Sequence, residues 1–195
     1  MIRIYLAAVD VLPAAVVLIP AFLMLYWTFY KRNLAQSVLY CLFCLYLSAV
    51  FSLVGIPNIT YFRPDVNLNL MPFRGIMEDL KNSLLNIALF VPLGFFLPVL
   101  WTRFRNISST ILFGFGLSLG IELLQMLTYR ATDVNDLITN VSGAMVGFML
   151  VKPITRKYPA VGEGRNDACF LCSLSFCVMF FLHPFLSIMI WDRFL

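Results

Sequence analysis

Long apolar runs, interrupted by short charged turns, organise this sequence. Hydropathy places helices at about 7–29, 35–56, 83–101, 109–128, 135–151 and 169–191, each near the roughly 20 residues that cross the hydrocarbon of a bilayer. The runs are continuous rather than alternating. That selects helices over the closed barrel, the other structure that satisfies every backbone group in lipid. Short turns carry Lys31 and Arg32, then Arg103 and Arg105; the longer connections, 57–82 and 152–167, are too short for a separate soluble domain. The pattern predicts an all-α integral membrane protein, a bundle of about six transmembrane helices forming one membrane domain over 1–195.

Composition agrees with that pattern. At 61% hydrophobic and 12% charged, with mean hydropathy +0.88, the chain has more apolar surface than one water-soluble core can hide. The first run carries a single arginine before it, an early Asp10 and no small-residue cleavage site after it, so a retained span is expected rather than a removed signal. The net charge of +4 is dispersed, without a basic stripe, and no nucleic-acid partner is expected. Cys41 and Cys44, like Cys169 and Cys172, have CxxC spacing inside apolar runs with no clustered ligands. They read as small packing residues, and no cofactor is expected.

The basic residues suggest an orientation. Eight of them (Lys31, Arg32, Arg103, Arg105, Lys152, Arg156, Lys157, Arg165) fall in the first, third and fifth turns, against six (Arg3, Arg63, Arg74, Lys81, Arg130, Arg193) on the other side. Cytoplasmic loops are enriched in Lys and Arg. Both termini are therefore expected outside the cytoplasmic membrane.

Folded at 3.6 residues per turn, the middle helices carry polar and small stripes. The third offers Asn82, Asn86, Phe90 and Gly94; the fourth Gly114, Ser118, Glu122 and Gln125; the fifth Asp133, Asp136, Asn140, Gly143 and Gly147. Because neighbouring spans run in opposite directions, the polar ends of all three share one membrane face. Asn86, Glu122, Gln125, Arg130, Asp133, Asp136 and Asn140 meet there. Glu122 stands out, because a carboxylate two turns inside a span costs roughly 2.5–3.5 kcal/mol on insertion scales. Asn86, Gln125 or Arg130 are the donors the sequence offers it, and a protonated Glu122 would donate instead.

Structural roles account for some of these residues individually. Asp133 suits an N-cap and Asp136 a first-turn acid, with Arg130 as counter-charge. Asn86, Gln125 and Asn140 suit hydrogen-bond glue between helices, and Gly143 with Gly147 suits close packing of the fifth helix on the third or fourth. Pro92 and Pro98 predict a kinked or broken third helix, and Pro184 a bend in the last. His183 reads as structural. The loop 67–82 alternates apolar and polar residues, as an interfacial segment or lid would.

NLMPF (69–73), NIALFVPLG (86–94), SLGIELLQ (118–125) and RATDVNDLITNVSG (130–143) resemble, in order and spacing, the VanZ-like family over about 67–150. The resemblance implies a bacterial integral membrane protein, in a family whose named member is associated with resistance to teicoplanin and related lipoglycopeptides. It singles out Asn86, Pro92, Gly94, Glu122, Gln125, Arg130, Asp133, Asp136 and Asn140. The expected role is binding or acting on an amphiphile of the envelope, either the lipoglycopeptide's lipid tail or a lipid-linked wall precursor, in a polar pocket near the outer leaflet. Glu122, Asp136 and Asp133 are the candidate catalytic groups; Asn86, Gln125, Arg130 and Asn140 are candidate binding residues for an anionic or carbonyl group. The three carboxylates also allow a divalent cation. Whether the protein is an enzyme stays open at this level. A small proton-coupled transporter and a structural assembly subunit are the alternatives.

Overall fold

The computed structural model describes residues 2–28, 34–60, 68–69, 71, 80–128, 132–162 and 165–191. Its elements are α1 (Ile2–Thr28), α2 (Leu34–Val54), β1 (Leu68–Asn69), α3 (Leu80–Leu100), α4 (Ile107–Gln125), β2 (Thr132–Asp133), α5 (Val134–Lys157), α6 (Arg165–Cys177) and α7 (His183–Trp191). A 3-10 turn covers Thr102–Arg105, and a π-helical turn, Val178–Leu182, joins α6 to α7. Among the described residues five helical stretches are long and apolar enough to cross a membrane, and Val11–Met24 within α1 is a shorter apolar one. The protein is an all-α, multi-pass membrane bundle. Among the described residues the extended pairings include the two-residue parallel ladder of β1 with β2 and an isolated parallel bridge of Trp101 with Gly162. The backbone divides into two compact units, Met1–Phe62 with Gly164–Leu195, and Arg63–Glu163.

In the first unit, Ala14, Leu18 and Phe22 of α1 and Phe43, Leu47, Val50 and Phe51 of α2 are buried. Small polar residues, Ser48 on α2 and Ser175 on α6, keep their hydroxyls bonded where they are buried. Ser48 Oγ donates to the Cys44 carbonyl at 2.9 Å and Ser175 Oγ to the Leu171 carbonyl at 2.9 Å, so each hydroxyl is satisfied by its own helix. The Cys44 thiol turns to the Leu171 carbonyl at 3.7 Å, a packing role. Nearer the helix ends, Tyr40 Oη donates to Asp167 at 3.0 Å.

The bend expected at Pro184 takes the form of the π-helical turn just before it, closed by the His183 N–H on the Val178 carbonyl. Proline has no N–H to offer the carbonyl four residues back, that of Phe180. The Ile59 N–H supplies the missing donor at 3.1 Å.

In the second unit α3 and α5 touch backbone to backbone. A Cβ built on Gly94 would overlap the Ala144 carbonyl, one on Gly143 the Ile87 carbonyl, and one on Gly147 the Val91 carbonyl. Glycine is required at these three positions because no side chain fits between the helices. The GxxxG pair thus packs on the third helix, of the two it could have met. On the other side of α5, Ala144 lies against Gly114 of α4. α3 runs as an unbroken helix through Pro92 and Pro98; close support from α5 is the setting in which transmembrane prolines are tolerated. Thr110, Gly114, Ser118, Ile121, Glu122 and Gln125 form the buried face of α4, the stripe expected from its sequence. Leu112, Phe115, Leu119 and Leu123 are exposed, a face suited to lipid.

One end of this unit is basic and closed. The Val161 and Gly162 N–H groups cap the Val99 and Leu100 carbonyls at 3.1 and 2.7 Å, and Arg105 Nη2 donates to the Tyr158 carbonyl at 2.7 Å. α5 continues to Lys157, past the predicted limit of 151. The added turn carries Arg156 and Lys157, which favour a helix C-terminus.

Candidate functional site

The opposite end of the second unit holds the polar residues, and the start of α5 organises them. Asp133 is the N-cap: its backbone is extended, and its carboxylate accepts the Asn135 N–H at 2.8 Å. This satisfies one of the four amides that a helix start leaves unpaired. The Asp133 N–H is itself donated to Glu122 Oε2, at 3.0 Å. Glu122 lies in the last turn of α4 and is 3% exposed. In a capping box an acid three residues into the same helix takes the N-cap amide; here an acid from the preceding helix does so.

The residue in the box position, Asp136, is bonded to α3. Its Oδ1 accepts from Asn86 Nδ2 at 2.7 Å. Four residues deeper along α5, Asn140 Nδ2 donates to Ser118 Oγ at 2.9 Å, and Ser118 is one turn below Glu122 on α4. The site is thus a two-layer column: Glu122, Asp133, Asp136 and Asn86 at the rim, Asn140 and Ser118 beneath. The positive end of the α5 dipole offsets part of the cost of gathering carboxylates there, a cost that the negative end of α4 alone would raise.

All but one of the sequence-predicted site residues have a place in the structure. Asn86, Glu122, Asp133, Asp136 and Asn140 come together at one end of three helices. Gln125 is buried in the same end of α4, and its backbone carbonyl receives the Thr128 amide and hydroxyl at 2.9 and 3.0 Å. Arg130 lies outside the described residues. Asn82, the first member of the α3 stripe, is exposed. Asn86 donates to Asp136. One donor to Glu122 is a group outside the three side chains that the sequence offered, the main-chain amide of Asp133. A list of side chains cannot reveal that donor, because the unpaired amide exists only once α5 starts at Val134.

Asn135 escaped the sequence reading. It is 3% exposed, and its side-chain amide bridges Asp133 Oδ1 at 2.8 Å and the Met71 carbonyl at 3.2 Å. Together with the pairing of Leu68 with Thr132 and Asn69 with Asp133, this ties residues 68, 69 and 71 to the start of α5. Of the rest of the proposed lid, 67, 70 and 72–79 lie outside the described residues, and 80–82 form the start of α3. An amide placed two residues after an N-cap acid was the only available signal for Asn135.

Chemically, the rim can accept protons or hydrogen bonds at three carboxylates and donate them through amides. Among the described residues no group of three or more His, Cys, Asp or Glu is arranged to hold a metal ion. Asp133 is engaged by its own helix and Asp136 is turned to α3, so the cation site allowed by the sequence is not assembled among these residues.

No curated protein and no solved structure matches the chain. A family model described as VanZ/LLP1 matches residues 37–156. The match runs from α2 through nearly all of α5, wider than the 67–150 that carried the resemblance, and it takes in every candidate residue placed above. With more than half of its length inside that match, and with the membrane bundle to go with it, the chain belongs to the VanZ/LLP1 family.

Proposed function

We propose that the polar column is a binding site, open toward the outer leaflet of a bacterial cytoplasmic membrane, for an amphiphile of the cell envelope, and that by binding or acting on it the protein contributes to teicoplanin and lipoglycopeptide resistance. The observation that carries this reading is the buried Glu122, bonded across helices to the α5 N-cap beside the Asn86–Asp136 pair. Three carboxylates and several amides at one depth exceed what joining three helices requires. The orientation rests on the opposite end of the same unit, where Arg103, Arg105, Lys152, Arg156 and Lys157 gather; by the positive-inside rule that end faces the cytoplasm, which puts the acids outward and both termini outside. The ligand is the lipid tail of the antibiotic or a lipid-linked wall precursor, with Glu122 or Asp136 as the proton-handling group in an enzymatic version.

Glu122→Gln and Asp136→Asn test this cleanly. Each replacement offers one oxygen where the Asp133 N–H or Asn86 Nδ2 now donates, removes the charge, and puts an NH2 in place of the second oxygen. Expressed in a teicoplanin-susceptible host, both variants are expected to lose protection at unchanged membrane abundance. Protection retained in both would remove acid–base chemistry from the account.

A structural assembly role is the second reading, favoured by a specific observation: Asp133 caps its own helix and Asn140 ties α5 to Ser118. On that reading the same substitutions lower abundance and activity together, and no variant is stable yet inactive.

A further inference from the structure

The lower layer of the column has an unfilled valence. Asn140 is 3% exposed and its Oδ1 has no hydrogen-bond partner, whereas Nδ2 is held by Ser118, which is fully buried. A carbonyl oxygen left unpaired inside a membrane span keeps its full desolvation cost, so buried polar groups are ordinarily matched. The orphan also sits where a guest is expected, one turn below Asp136 on α5, with its anchor one turn below Glu122 on α4. Seven residues separate Asn140 from the N-cap, about 10 Å of helix axis.

We infer that Asn140, its amide fixed by Ser118, is a binding residue for an uncharged hydrogen-bond donor, a hydroxyl or an amide N–H, on the head of a membrane amphiphile. This rests on the amphiphile-binding function proposed above and narrows its ligand. The atom on offer is an acceptor. It therefore repels the anionic or carbonyl group that the sequence assigned to Asn140 and matches a donor instead. An uncharged donor is favoured over an ammonium because at this depth a charge would lose far more hydration than a hydroxyl does. The orientation of the amide has a physical basis too. Reversed, it would leave both side-chain N–H groups unpaired, and orphaned N–H groups are rarer in proteins than under-satisfied carbonyls.

The test uses the full chain in nanodiscs of phosphatidylcholine, whose head group has no hydrogen-bond donor. Equal trace amounts of dioleoylglycerol and its 3-O-methyl ether are added; the two probes share their tails and differ in whether the terminal oxygen carries a hydrogen or a methyl group. Native mass spectrometry reads which lipid the released protein retains. One buried hydrogen bond predicts a preference for dioleoylglycerol of roughly three- to tenfold. Asn140→Leu is expected to abolish that preference, and Gly120→Ala, on open surface of α4, to leave it intact. Should Asn140→Leu not fold, Ser118→Ala releases the amide and takes its place; a preference that survives it overturns the inference. Equal retention of both probes, above the phosphatidylcholine background, refutes the donor assignment while leaving amphiphile binding standing. Retention of neither refutes both.

Discussion

Replacing Gly147 by alanine isolates the contact that sets the geometry of the column. The new Cβ would overlap the Val91 carbonyl oxygen and lie 2.9 Å from Val91 C and 3.0 Å from Phe95 N. All three atoms belong to the α3 backbone, so no side chain can swing aside. Carbon contacts are optimal near 3.5–4.0 Å, and α5 must therefore retreat on the order of 1 Å. Overpacking of this kind costs about 1–3 kcal/mol, and the helix propensity of alanine returns only about 0.5–1 kcal/mol. Gly120→Ala is the internal control. Nothing lies within 4 Å of its Cβ position, so only the propensity gain remains and the variant should be stabilised by about 0.5–1 kcal/mol. The same substitution, in two helices of one unit, is thus predicted to have opposite signs. Unfolding by dodecyl sulfate, followed by circular dichroism, measures the two. If Gly147→Ala unfolds at the same detergent fraction as Gly120→Ala, the backbone approach of α3 and α5 is wrong, and the placement of Asn86 against Asp136 falls with it.

Other expectations follow from single contacts. Asp133→Ala removes the N-cap of α5 and should cost about 0.5–2 kcal/mol in the same unfolding assay, with Asp133→Asn recovering most of the loss because its side-chain oxygen still accepts. Pro184→Ala restores an N–H that competes with Ile59 for the Phe180 carbonyl, so hydrogen exchange at the Ile59 amide should accelerate; unchanged protection would deny the link between that bond and the π-helical turn. In detergent, a small maleimide should modify the exposed Cys169 and Cys177 before the buried Cys44, and early loss of the Cys44 thiol would contradict the packing of α2 on α6.

Much of the fold is legible from the sequence because lipid imposes it. Length and hydropathy locate the spans, and the Gly143–Gly147 spacing announces a close approach. The limits of α5 are less legible. Hydropathy measures the stretch that tolerates hydrocarbon, whereas Pro153, Arg156 and Lys157 continue the helix beyond it. Rotational phase is the harder matter for the site. Alternating span directions put Asn86, Glu122 and Asp136 at one face of the membrane, yet depth alone does not say which of them touch. Asn86 reaches Asp136 across 50 residues of sequence, and Glu122 meets a main-chain amide that no side-chain pattern encodes. Asn140 shows the same limit in reverse. Its position was readable, but the chemistry it offers, an acceptor rather than a donor, depends on which atom Ser118 engages.

The most direct test of the central claim is to identify what co-purifies with the protein. Wild-type chain and the Glu122→Gln/Asp136→Asn double variant, purified at matched yield into nanodiscs of native lipid, are extracted and their lipids compared by mass spectrometry. The polar column as a ligand site predicts an envelope amphiphile enriched with the wild type and depleted from the double variant, with α-helix content unchanged. Identical lipid profiles from two equally folded proteins would contradict it and leave these residues as no more than the joint between three helices.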